Sequence, residues 1–181
     1  MANMITDNKE QVRDKTVLLF SGGMDSLMIN HIKQPDVLLN ISMNSNYDRT
    51  ERATFDSIGI DESKLINMDG VIDLGRFERD DAIIPNRNAH LILLASHYGE
   101  TILLGSVSGD RSYDKDERFY FHMENLLDHM WQGQHWTEER KFEIYSPFKN
   151  RTKTDLVEEY LQKDGKEVYL LTSYSCYEGE E

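Results

Sequence analysis

Leu18-Leu19-Phe20-Ser21-Gly22-Gly23-Met24-Asp25-Ser26 is the stretch on which the reading of this chain turns. The apolar run Thr16-Val17-Leu18-Leu19-Phe20 leads into it and reads as a buried parallel strand. Met24 to Lys33 follows with helical character, and Ser21-Gly22-Gly23 makes the turn between them. Two glycines let the backbone turn sharply and approach an anion closely. Successive backbone N–H groups then form a concave nest. The helix that follows aims its free N–H groups and positive dipole end at the same point. Ser21 and Ser26 add hydroxyl donors. Asp25 fits beside an anion when a Mg²⁺ ion sits between them, a normal arrangement for nucleotide phosphates. The pattern therefore describes a polyphosphate site. The segment has no Gly-Lys-Ser/Thr ending, which disfavours a Walker-type phosphotransferase, and without Gly-x-Gly-x-x-Gly it is not a dinucleotide fingerprint.

Working outward, Pro35 and Asp36 mark a break and Val37 to Ser42 reads as a second strand. Arg49 to Ile58 reads as a helix stopped by Gly59, and Lys64 to Met68 as a third strand. Asn86 to Tyr98 is a strongly apolar helix ending at Gly99, followed by a buried strand over Thr101 to Leu104, closed by Gly105. Glu117 to Met130 reads as a helix, Phe142 to Tyr145 as a short strand, and Thr152 to Gln162 as a helix with an acidic outer face. Alternating strands and helices with short links predict an α/β domain with a parallel sheet and right-handed crossovers. Residues 1–14 form a polar lead-in and 15–181 one domain, since 181 residues suffice for one core and not for two.

Composition narrows the setting. Hydrophobic residues at 39% and charged residues at 29% suit a soluble globular chain. The longest apolar stretch, Ala89 to Ser106, is interrupted by His90, His97 and Glu100, which excludes it as a membrane span. Met1 to Asp7 shows neither a basic nor an apolar leader region, so no secretory signal is expected. Cys176 is the only cysteine, which forbids an intrachain disulfide and points to a reducing, cytoplasmic compartment. A net charge of -13 repels duplex phosphate and disfavours bulk nucleic-acid binding, while leaving room for a local basic pocket. His122, His129 and His135 lie near Trp131 and Trp136 without the spacing of a helical zinc pair. They read as an aromatic helix end packing on the sheet or on a second subunit.

Ser21-Gly22-Gly23-Met24-Asp25-Ser26 resembles the signature of the PP-loop ATP pyrophosphatases, whose fold is a Rossmann-like doubly wound sheet. Within that superfamily, four further stretches resemble the 7-cyano-7-deazaguanine synthase family. Ile84-Pro85-Asn86-Arg87-Asn88 is similar to its Val-Pro-Gly-Arg-Asn. Gly105 and Asp110, then Ser112-Tyr113-Asp114-Lys115-Asp116 and Phe119, resemble its Ser-Gly-Tyr-Pro-Asp-Cys-Arg-x-x-Phe segment. Tyr145-Ser146-Pro147-Phe148 with Lys153 and Thr154 is similar to its Thr-Pro-Leu…Lys element, and Thr172 to Gly179 to its Thr-x-Ser-Cys-Tyr-x-Gly. The resemblance implies conversion of 7-carboxy-7-deazaguanine and ammonia to the nitrile, with ATP split to AMP and pyrophosphate through an adenylate. It implies that Phe20, Ser21, Gly22, Gly23, Asp25 and Ser26 hold ATP, and that Asp25 acts through Mg²⁺. Asp25, Arg87 and Lys153 are the candidate catalytic residues, and Arg87, Asn88, Asp110 and Asp116 the candidate substrate contacts. A homodimer is also implied.

The chain departs from the family pattern at named positions. Cys176 stands where the first of four zinc cysteines falls, and one thiolate cannot close a structural zinc site, so zinc is not expected. Asp116-Glu117-Arg118 replaces Asp-Cys-Arg, and Met24 replaces a usual Gln. Two other readings stay open at this point. One is a different adenylating PP-loop enzyme, either a small-molecule amide ligase or a base-modifying enzyme. The other is a nucleotide-binding protein without turnover.

Overall fold

The computed structural model describes residues 12–46, 48, 55–81, 83–109, 112–135 and 138–173. Strands β1 (Thr16–Leu19), β2 (Val37–Ile41), β3 (Leu65–Met68), β4 (Thr101–Leu103) and β5 (Glu143–Tyr145) form one sheet in the order β3-β2-β1-β4-β5. Every neighbouring pair is parallel. Helices α1 (Met24–Lys33), α2 (Arg87–Ala95), α3 (Glu117–Met130), α4 (Lys153–Gln162) and α5 (Glu167–Thr172) complete the described helices. Strand side chains alternate between two cores. Val17, Val37, Leu39, Ile102 and Ile144 pack with Ile92 and Ala95 of α2 and Tyr120, Met123 and Leu127 of α3. Leu18, Leu38 and Leu103 pack on the other face with Leu27, Met28 and Ile29 of α1, Leu156 and Tyr160 of α4, and Leu170 of α5. Burial on both faces is why the central strands read as continuous apolar runs.

This is the expected α/β doubly wound parallel sheet. The order reverses between β1 and β4, whose register pairs Leu18 with Leu103. Ligands of such sheets bind outside the carboxyl ends of the strands at that reversal. Because crossover helices run back against their strands, α1, α2, α3 and α4 all present their N-termini to this same rim.

Boundaries differ from the sequence reading in informative places. Helix α2 covers nine residues, because Asn86 takes a left-handed conformation (φ 62°) as its N-cap. Ser96 to Tyr98 tighten into a turn in which Tyr98 N–H donates to Ala95 O at 2.9 Å. The helix expected over Arg49–Ile58 is a 3-10 turn in its described part, Phe55–Ser57, and residues 49–54 lie outside the described residues. Lys64 belongs to a 3-10 turn, Glu62–Lys64, capped by Asp61 rather than to β3. Helix α5 was not anticipated: its six residues are too few to show a period, and only Leu170 is buried. Helix α4 opens with a capping box in which Thr152 Oγ1 accepts from Asp155 N–H at 3.2 Å and Asp155 Oδ2 accepts from Thr152 N–H at 3.0 Å. Thr152→Ala is expected to lower stability by about 1 kcal/mol, read as a lower urea midpoint at unchanged slope.

Candidate functional site

The Ser21–Gly23 turn delivers the chain from β1 to α1 at the switch point. Gly22 has φ 82°, a left-handed conformation that side-chain-bearing residues rarely hold. Gly23 Nα–H donates to Ser21 Oγ at 3.2 Å, and Ser26 Oγ–H donates to Gly23 O at 2.9 Å, so the two serines brace the turn from either end. Gly23 is the N-cap of α1 and supplies no side-chain cap. Phe20 is buried with its ring against Phe55 at 5.5 Å, so it contributes backbone rather than an exposed ring.

Helix N-termini on the rim divide into closed and open ones. Asp116 Oδ1 accepts from Phe119 N–H at 2.7 Å and closes α3. Thr152 and Asp155 close α4. By contrast, α1 at Gly23 and α2 at Asn86 have no side-chain cap. Among the described residues, no side chain caps the first N–H groups of α1, which with its dipole end can receive an anion. Asp116, expected to touch substrate, spends this carboxylate oxygen on its own helix.

Lys153, the first residue of α4, brings its ammonium 3.4 Å from Asp25 Oδ1. The separation is that of an ion pair, yet it lacks hydrogen-bond alignment, and Asp25 Oδ1 is buried without a hydrogen-bond partner. An acidic and a basic group therefore face each other beside the Ser21–Gly23 turn. The end of β4 closes in as well: a Cβ added to Gly105 would lie 3.8 Å from Asp25 Cβ and 3.9 Å from Ser26 N. Ser106 beside it is buried.

Arg87 opens α2 half-buried, and its side chain makes no hydrogen bond or ion pair among the described residues. Asn88 is buried, and its Nδ2 donates to Asp114 O at 3.3 Å, tying the Tyr113–Lys115 turn to the first turn of α2. The predicted residues thus fall into two groups on the rim, Ser21–Ser26 with Lys153 and Arg87–Asn88 with the 112–116 strap. Asp110 and Cys176 lie outside the described residues, as does Trp136. Trp131 packs on the sheet end as anticipated, with its ring 6.2 Å from that of Phe142.

Two rim residues escaped the sequence reading. Asp48 gathers the loop after β2: its carboxylate accepts from Ser42 Oγ–H at 2.8 Å, from Met43 N–H at 2.7 Å, and from the Ser45 hydroxyl. Partial burial raises its pKa, but these bonds from Ser45, Ser42 and the backbone together outweigh burial and hold it below the ordinary carboxylate value. A lowered native pKa contributes stability above the unfolded value and loses it as pH falls through the native one. The stability gap between wild type and Asp48→Asn is expected to be full above the ordinary aspartate value of about 3.9, and to close below it, in thermal melts across acid pH. The same loop meets the chain after β3, where Gly75 N–H donates to Met43 O at 2.7 Å and a Cβ at Gly75 would strike Asn44 O at 1.9 Å. The second residue, Asn40, is 6% exposed in the otherwise apolar strand β2. Its Nδ2 donates to Phe20 O at 2.9 Å, while its Oδ1 is buried with no hydrogen-bond partner. An unsatisfied buried acceptor costs about 1–3 kcal/mol.

Among the described residues, no helix is long and apolar enough to cross a membrane. The fold is similar to the crystal structure of a "predicted subunit of tRNA methyltransferase" from Methanocaldococcus jannaschii, with TM-score 0.50, 18% identity, and coverage of 83% of this chain and 76% of that one. A relative, the 7-cyano-7-deazaguanine synthase of Psychromonas ingrahamii, is 27% identical over 199 residues, covering 92% of this chain and 85% of that protein. Residues 60–181 match the family model described as "Queuosine biosynthesis protein QueC". That match begins after the Ser21–Ser26 turn, so the phosphate site expected at the turn and the family match rest on different residues. The chain belongs to the queuosine biosynthesis protein QueC family.

Proposed function

We propose that this protein is an ATP-dependent nitrile synthase that converts 7-carboxy-7-deazaguanine and ammonia to 7-cyano-7-deazaguanine. The observation that carries the reading is the uncapped N-terminus of α1 behind Gly22 at φ 82°, beside the Asp25–Lys153 pair. Family membership and the relative named as a 7-cyano-7-deazaguanine synthase support the same product.

In this reading the Ser21–Ser26 turn binds the β,γ-phosphates of ATP as the leaving pyrophosphate. A carboxylate oxygen of the substrate attacks the α-phosphorus, the bond to the bridging oxygen breaks, and pyrophosphate departs. Backbone N–H groups fixed before the reaction take up its developing charge at little reorganisation cost. Lys153 neutralises phosphate charge, which requires its ammonium to turn from Asp25 toward the ligand. Asp25 is the residue that would hold Mg²⁺ against the polyphosphate. Its Oδ1, buried without a hydrogen bond beside the Lys153 ammonium, would offer a hard cation an oxygen ligand. That ion, when bound, offsets phosphate charge. Arg87 holds the substrate carboxylate or a phosphate through its fork of donors, with Asn88 fixing the helix turn that carries it.

Ammonia then attacks the acyl carbon and AMP leaves, giving the amide. A second ATP adenylates the amide oxygen, and loss of AMP and a proton leaves the nitrile. Two ATP are consumed for each nitrile formed. The test is incubation with ATP, Mg²⁺, ammonium and the carboxylate, read by mass spectrometry. Nitrile and AMP together support the reading. ATP binding without AMP formation contradicts it and leaves a silent nucleotide-binding protein.

A further inference from the structure

A carboxamide in the middle of an apolar strand calls for a physical reason. The five residues of β2, Val37-Leu38-Leu39-Asn40-Ile41, are all buried, and four of them serve the two cores. Asn40 falls on the α1 face of the sheet, where the register of its strand alternates with Leu38. A leucine there would fit the pattern and remove the stranded Oδ1, but it would leave Phe20 O without the donor it has now. Asn40 instead keeps Oδ1 buried and unpaired, and obtains one hydrogen bond in return, from Nδ2 to Phe20 O.

That bond has a particular target. Phe20 is the last residue before the Ser21–Gly23 turn. Its N–H already donates to Leu39 O at 2.9 Å, in line with the sheet ladder. Its carbonyl is the first group past the ladder, and Asn40 Nδ2 takes it. Both polar groups of Phe20 are thereby fixed to β2. The peptide plane that enters Ser21 is set before Gly22 turns left-handed. A nest of N–H groups binds an anion well only when its peptide planes are oriented in advance.

We propose that Asn40 is a positioning residue that fixes the entrance of the phosphate turn through the Phe20 carbonyl, retained for binding the pyrophosphate part of the nucleotide and not for stability. This rests on the ATP reading above. The variants are Asn40→Leu, which removes both amide atoms, and Asn40→Asp, which keeps the shape and sets an acceptor against the Phe20 carbonyl. Each is compared with wild type for thermal midpoint, for the calorimetric Kd of inorganic pyrophosphate and of ATP with Mg²⁺, and for KM of the carboxylate substrate.

The expected result for Asn40→Leu is a midpoint close to that of wild type, because one stranded acceptor, Asn40 Oδ1, is exchanged for another, Phe20 O, with pyrophosphate and ATP both weakened about tenfold or more and KM of the carboxylate unmoved. Asn40→Asp is expected to weaken both ligands at least as much. A purely structural role would lower the midpoint and leave the Kd of the folded protein alone. Wild-type affinity for pyrophosphate in both variants overturns the proposal while the ATP reading stands. Wild-type protein that binds neither pyrophosphate nor ATP removes the ATP reading, and the proposal with it.

Discussion

Arg140→Ala is expected to destabilise the protein by about 3–5 kcal/mol, the range for removing one partner of a buried ion pair. Arg140 is 8% exposed. Its Nε donates to Glu100 Oε1 at 3.0 Å and its Nη1 to Ser96 O at 2.7 Å. The guanidinium also lies over the rings of Trp131 at 4.6 Å and Phe142 at 4.8 Å. Its loss leaves the Glu100 carboxylate, 17% exposed, without its cation, and removes the group packed against the Trp131 and Phe142 rings. Breaking the pair costs more than the pair contributes, since Nη2 is already buried without a partner. Glu100 directly precedes β4 and Phe142 directly precedes β5, so the cluster sits at the amino edge of the sheet, opposite the candidate site. The measurement is a urea titration of variant and wild type, with pyrophosphate affinity measured on folded variant at low temperature. A large drop in midpoint with unchanged affinity is the expected outcome. A drop below about 1 kcal/mol would place Arg140 among the weak surface pairs and remove its assigned role.

Asp25→Ala is expected to behave in the opposite way. AMP formation should fall roughly 10²–10³-fold, the size of losing one preorganised electrostatic contact to a developing charge. Stability should change little, because the ion pair with Lys153 is partly exposed, at 28% and 38% for the two side chains. The variant also removes the Asp25 carboxylate that competes with phosphate for the Lys153 ammonium. ATP binding in the absence of Mg²⁺ should therefore survive or tighten while turnover is lost. Equal loss of binding and turnover would move Asp25 from chemistry to simple ligand holding.

The contrast between these two residues shows what the sequence makes legible. Ser21 to Ser26 announces its turn in residue type and spacing, and Gly22 at φ 82° is the conformation the pattern demands. The central strands were equally readable, because burial on both faces leaves unbroken apolar runs such as Val17-Leu18-Leu19. Helix α3 is legible to the residue as Glu117–Met130, whereas the cap that Asp116 Oδ1 makes to Phe119 N–H is not singled out by the sequence. Asn40 and Asp48 could not be picked out at all. Their meaning lies in contacts across 20 residues to Phe20 and within a loop that carries no periodic signal. Arg140 likewise meets Glu100 across 40 residues, a distance that local pattern does not encode. Lys153 was placed near phosphate only by the family resemblance, and its approach to Asp25 across the sheet end is a property of the topology.

The central claim is that the carboxylate of the substrate is activated by adenylation at the Ser21–Ser26 turn. The most direct measurement uses substrate labelled with oxygen-18 in its carboxylate, with ATP, Mg²⁺ and ammonium, and reads the mass of the AMP released. The account predicts that the label passes from substrate to AMP, one atom per AMP in each of the two activations, as nitrile accumulates, and that Asp25→Ala releases almost none. Unlabelled AMP would mean that water, not the carboxylate, attacks the α-phosphorus, and that adenylation is not what this site does.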